Sequence, residues 1–234
     1  MHNRSYPAGP LLFNLCRESR YGELSAETGV RVQHNRKSSD RVAFPLELLY
    51  GAYWNLQLGL GATLATAPRT IDEAEKSGDL RTVALYNVNQ ETLHLPAFAA
   101  KLSLDVPTGV RSRGVDTALK GIMTRSFGQL RTHLNVGYEF VGEAGGGERN
   151  GRYEDVVGAQ YPVGYPRVFN TTVLADIFTQ QSAHTGDANP TGIELGLRQQ
   201  VAPLTVLDMG VETEFTGPAE RTPFFATIGV SVGF

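Results

Sequence analysis

Apolar and polar positions alternate with a period of two along most of this chain, most cleanly at its end. In TPFFATIGVSVGF, Phe224, Ala226, Ile228, Val230, Val232 and Phe234 fall on one face, and Phe225, Thr227, Gly229, Ser231 and Gly233 on the other. A period of two is the signature of a strand. An exposed terminal strand with an apolar face invites edge-to-edge association. In a closed membrane barrel the same strand has a partner and its apolar face meets lipid. A terminal strand of a soluble sandwich is the alternative reading of the same pattern.

The alternation predicts twelve strands, over 23–33, 41–50, 55–66, 80–89, 96–106, 115–125, 129–141, 155–163, 167–179, 191–201, 204–215 and 222–234. The seventh is the clearest internal one: Leu130, Thr132, Leu134, Val136, Tyr138 and Phe140 alternate with Arg131, His133, Asn135 and Glu139. The eighth is the weakest, because the Gly-rich run GEAGGGERNGRYE before it reads as loop. Pro45 inside the second strand removes a ladder donor and predicts a bulge there. Connections after odd-numbered strands are longer and polar, and those after even-numbered strands are mostly short. Outer-membrane barrels alternate in this way, with short periplasmic turns, long outer loops and an even strand number. The expected fold is therefore all-β, an antiparallel up-and-down transmembrane β-barrel of about twelve strands over residues 21–234, with both termini periplasmic.

Composition adds limits. No stretch approaches the length of a transmembrane helix, which leaves a strand-built membrane protein open. Net charge is −3, which gives no electrostatic footprint for nucleic acid. Cys16 is the one cysteine, so no intramolecular disulfide forms. Residues 1–20 are too short and interrupted for a clear signal peptide and are expected to be a truncated or mis-started export region.

The polar face predicts the chemistry. Glu27, Arg31, Lys101, Asp105, Asp116, Lys120, Arg131, His133, Glu139, Asp176, Glu194, Arg198, Asp208, Glu212 and Glu214 occupy it and are the candidate lumen-facing residues. Arg or Lys at the lipid midplane costs about 2–4 kcal/mol, so such side chains belong inside. They either shape a pore or pair across a packed interior. His2, His34, His94, His133 and His184 are scattered without ligand spacing, so no metal is expected, and no cofactor motif is present. A serine hydrolase would need a base beside its nucleophile. The strand-borne histidine is His133, and the nearest serine in sequence is Ser126. Tyr50, Tyr53, Trp54, Tyr138, Phe140, Phe215, Phe224 and Phe234 fall at strand ends, where interfacial aromatic girdles lie in membrane barrels.

Several stretches resemble the outer-membrane transporter family associated with the meta-pathway of phenol degradation. They are YGELSAETGVRV (21–32), FPLELLYGAYWNLQLGLGATL (44–64), LSLDVPTG (102–109), LNVGYEF (134–140), ELGLRQQVAPLTVLDMGVETEFTG (194–217) and the terminal VGF. The resemblance implies an outer-membrane location and uptake of hydrophobic or aromatic compounds, with no substrate fixed. The reading is a non-enzymatic passive pore or transporter. A plugged structural or adhesive barrel is the alternative, followed by a barrel hydrolase. Outer-membrane lipid is the expected partner, together with the barrel assembly machinery through the C-terminal Phe strand.

Overall fold

The computed structural model describes residues 21–34, 40–65, 77–109, 112–163, 171–217 and 224–234. The expected export region 1–20, with Cys16, and the start of the ninth expected strand at 167–170 lie outside the described residues.

The strands are β1 (Leu24–His34), β2 (Arg41–Tyr53), β3 (Leu56–Ala65), β4 (Leu80–Asn89), β5 (Ala97–Val106) and β6 (Asp116–Phe127). They continue as β7 (Leu130–Phe140), β8 (Gly151–Val163), β9 (Thr171–Gln180), β10 (Thr191–Ala202), β11 (Thr205–Thr216) and β12 (Phe224–Gly233). Each pairs antiparallel with its sequence neighbour, and β12 pairs with β1, so the twelve strands close into a barrel. The all-β fold read from the alternation is the fold observed.

The seam is in full register, from Ser25 opposite Gly233 to His34 opposite Phe224. It is tied at the foot by the Phe234 amide donating to the Leu24 carbonyl at 2.8 Å. Both ends of the described wall therefore lie at one end of the barrel. Turns at that end are tight at Trp54–Asn55, Gly128–Gln129 and Pro203–Leu204. Gly128 adopts φ 63°, which a two-residue hairpin demands of its first central position and which glycine supplies without strain.

Three local expectations need correction. Pro45 does not produce a bulge: the β2–β3 register runs unbroken through Pro45 opposite Thr63, and the shift falls between Gly51 and Tyr53. The lost ladder donor is accommodated on the β1 side, where paired positions skip from Thr28/Leu46 to Arg31/Ala43. There the Thr28 hydroxyl donates to the Pro45 carbonyl at 3.1 Å. Next, β2 continues through Gly51 to Tyr53, where a tight connection was expected. Finally, β8 begins at Gly151, inside the run read as loop. Arg152 and Glu154 alternate there with Tyr153 and Asp155, and the Tyr138 ring occupies the space over Gly151 that a Cβ would fill. An aromatic covering a strand glycine in this way restores packing that the glycine lacks.

The two faces of the wall differ sharply. Outward positions are apolar and exposed: Leu48, Leu60, Leu119, Val157, Ile177 and Ile228 are examples. Aromatics cluster at the two rims. Tyr50, Tyr53, Trp54 and Phe234 lie at the end that carries the tight turns, where Tyr21 stacks on Trp54 at 5.3 Å. Tyr138, Phe140, Phe215 and Phe224 lie at the opposite end.

Candidate functional site

Among the described residues, the inward positions carry small, polar, charged or packed apolar groups, and the register decides which ones meet. Two sectors stand out.

In the first, built from β9, β10 and β11, Asp176 is paired in register with Glu194, and Glu194 with Glu212. Three carboxylates thus lie side by side on neighbouring strands, each at most 3% exposed. Glu214 follows on the same face of β11, opposite Gly192. Arg31, from β1 across β12, reaches Glu212 at 2.9 Å, and its guanidinium lies 4.4 Å over the Phe225 ring. Arg198 forks onto Asp208 at 2.7 and 3.2 Å. Asp176 differs from these: neither of its carboxylate oxygens has a hydrogen-bond partner.

In the second, built from β4, β5 and β6, Arg81 forks onto Asp105 at 2.6 and 3.1 Å. Lys101 and Lys120 are register partners. Lys120 crosses Gly137 to reach Glu154 on β8 at 2.9 Å. Leu85, Ala99 and Ile122 form an apolar cluster on the same inner face.

The other sequence-predicted residues fall as follows. Glu27 is opposite Glu47 on the inner face. Glu139 accepts from Arg152 at 2.7 Å. Asp116 is buried and accepts the Gly142 amide at 2.9 Å, tying the loop after β7 to β6. His133 is buried, its Nδ1 paired with the Thr124 hydroxyl at 2.9 Å. Arg131 shares the inward parity but stands exposed at the tight-turn rim, where it donates to the Ser126 hydroxyl at 3.2 Å. Ser126 in turn donates to Glu91 at 2.8 Å, so the serine and His133 keep different partners and no nucleophile–base pair forms between them.

Sequence reasoning left Glu47, Arg81, Arg152 and Glu154 out of the candidate set. Glu47 and Arg81 alternate with apolar residues as clearly as the residues that were included. For Arg152 and Glu154 the glycines upstream hid a strand start, and the usable signal was the alternation Arg-Tyr-Glu-Asp itself.

The rims are tied separately. At the long-loop end, the Arg149 amide donates to the Ala183 carbonyl and the Thr185 amide to Gly147, so loops 141–150 and 181–190 are joined. Asp79 accepts from Gly109 at 2.8 Å and from the Ser112 hydroxyl, which joins the loops flanking β4 and β5. At the opposite end Glu91 accepts from the Ser126 amide at 2.7 Å. That bond, with the Ser126 hydroxyl and the nearby Arg125 and Arg131 charges, holds the Glu91 carboxyl below the usual carboxylate range.

A scan against protein-family models finds no match, and neither does a search of curated proteins. Solved structures do match. An outer membrane channel from Pseudomonas putida F1 is 13% identical, with a TM-score of 0.67 over 94% of this chain and 98% of that one. The NanC porin is 12% identical, with a TM-score of 0.60 over 89% and 98%. The KdgM porin is 12% identical, with a TM-score of 0.59 over 89% and 99%. At these identities the likeness is one of fold: this chain has the same closed barrel architecture as a channel and two porins.

Proposed function

We propose that this protein is an integral outer-membrane channel that passes small solutes passively, with both termini on the periplasmic side. The observation that carries the reading is the inversion of the wall. Charged groups point inward and pair, while a continuous apolar band points outward between two aromatic rims. A soluble monomer seldom exposes an apolar patch beyond a few hundred Å². In lipid, the same band is the stabilising surface, and closure leaves no unpaired backbone edge.

The fold shared with a channel and two porins supports transport over a purely structural role. Within that class the reading is uptake of small hydrophobic or aromatic compounds. It rests on the stretches that resemble the phenol meta-pathway transporter family, which fall on β1, the β2–β3 hairpin, the end of β5, β7 and the β10–β11 hairpin. Lipid is the solvent partner, and β12 with the Phe234 that follows it is the segment offered to the barrel assembly machinery.

Two measurements test this. Refolded protein should migrate at two mobilities on a gel, unboiled and boiled, and should give discrete conductance steps in a planar bilayer. A single mobility from protein that is folded without detergent would overturn the membrane reading. Two mobilities with no conductance would overturn the pore and leave a structural barrel.

A further inference from the structure

The outward face of the wall carries one charge that its apolar band does not explain. Register puts Asp155 on β8 beside Val136 on β7 and Thr179 on β9. Val136 is 52% exposed, and Val157, the next outward residue along β8, is 60% exposed. Residues two apart on a strand point the same way, so Asp155 shares the face that meets lipid. The other fully charged outward residue among the described strands is Arg125, at the tight-turn rim, whose guanidinium donates to the Thr92 and Leu93 carbonyls at 2.7 and 2.6 Å. Asp155 is half-exposed, and among the described residues no hydrogen bond or ion pair engages its carboxylate.

Its neighbours define its depth. One outward step toward the long-loop end stand Tyr153 and, opposite it, Tyr138 of the aromatic rim. One step the other way are Val157 and Ile177. A step of two residues is about 7 Å along a strand. The carboxylate thus lies just inside the apolar band, on the membrane side of the aromatics. Thr179 and Thr191 continue the row at the same register, their hydroxyls 3.2 Å apart. A carboxylate accepts hydrogen bonds and gives none, and the ester carbonyls of a phospholipid also only accept. A lipid with hydroxyl or amide N–H groups where its acyl chains begin supplies the missing donors, and a polar group in an apolar medium is costly without them.

We propose that Asp155, with the Thr179 and Thr191 hydroxyls, is a lipid-recognition site on the outside of the barrel, for a glycolipid whose acyl chains are amide-linked and hydroxylated, as in lipid A. The site rests on the membrane reading above and on its orientation, which puts the long-loop end in the outer leaflet. Lipid is favoured over a protein neighbour because Val136, Val157 and Ile177 around the carboxylate continue the apolar band.

The test compares urea midpoints of refolded protein in phosphatidylcholine vesicles with and without lipid A, both with EDTA present. Lipid A should raise the wild-type midpoint more than that of Asp155→Leu. In phosphatidylcholine alone Asp155→Leu should be the more stable of the two, because it removes an unpaired charge from the band. Protein extracted from the mixed vesicles into detergent should retain lipid A by mass spectrometry when wild type and lose it as Asp155→Leu. Equal gains from lipid A in the two proteins overturn the site. A wild-type gain seen only when EDTA is left out also overturns it, and marks a phosphate-bound divalent ion as the contact. Midpoints that ignore lipid A altogether overturn it in favour of a protein neighbour. A single gel mobility overturns the membrane reading and the site together, whereas two mobilities with equal gains overturn the site alone.

Discussion

The β9–β11 and β4–β6 sectors of the inner wall obey the same alternation, yet they resolve their charges differently. In β4–β6, Arg81 has Asp105 beside it, Lys120 has Glu154 across Gly137, and an apolar cluster fills the remaining space. In β9–β11, Arg198 forks onto Asp208, but Asp176, Glu194 and Glu212 stand side by side, and Arg31 reaches Glu212 from β1. Alternation decides which side of the wall a residue faces. Register decides whom it meets there, and register is set by turns and bulges that the charge pattern itself does not reveal.

The contrast is most directly broken at Arg31. Arg31→Ala removes the cation from a buried pair and leaves Glu212 beside Glu194 and Asp176. The expected loss is about 3–5 kcal/mol, read from the urea midpoint of refolded protein. Adding Asp176→Asn should recover part of that loss, because the two sites share one field. Strict additivity of the two changes would show that the row is not coupled.

In the other sector the largest single effect should be steric. Leu85→Ala opens a void against Ala99 and Ile122 and should cost about 2–3 kcal/mol in the same assay. Lys120→Met comes next, at about 1 kcal/mol, because both partners of its ion pair remain partly exposed. A Lys120→Met loss equal to that of Arg31→Ala would erase the distinction between the sectors.

The smallest effect lies outside both. Glu91 is held below its ordinary carboxylate value of 4.5 by its bonds from Ser126 and by nearby arginines. A depressed folded-state value stabilises above the unfolded value, and that contribution is lost as pH falls through the folded one. Wild-type stability should therefore fall slightly more than that of Glu91→Gln as pH drops below 4.5, in unfolding midpoints taken across that range. Because this carboxylate is partly open to solvent, the difference should be small.

These sectors also mark how far the sequence could be read. The strands and the two faces of each follow from the period of two, because a strand has only two faces. The pairing of Asp176 with Glu194 and Glu212 does not follow, since it depends on three strands sharing one register. The ion pair of Arg31 with Glu212 joins residues 181 positions apart, a distance no local pattern spans. Arg152 and Glu154 were hidden by glycines that usually signal loop, and the covering ring of Tyr138 that makes Gly151 a strand residue is itself a tertiary contact. Pro45 is a similar case: its missing donor is legible in the sequence, but the bond from the Thr28 hydroxyl on the neighbouring strand to the Pro45 carbonyl is a tertiary contact.

The seam between β1 and β12 makes the order of events in assembly a physical problem. Its register partners stand at the two ends of the described wall, so this pairing bears the largest loop-closure cost in the molecule. Until it forms, the sheet has two open edges, and each is a template for a foreign strand. The wall is thus a nearly all-or-none object. Eleven strands correctly paired still leave a sticky ribbon, and the twelfth converts it into a surface with no edge at all.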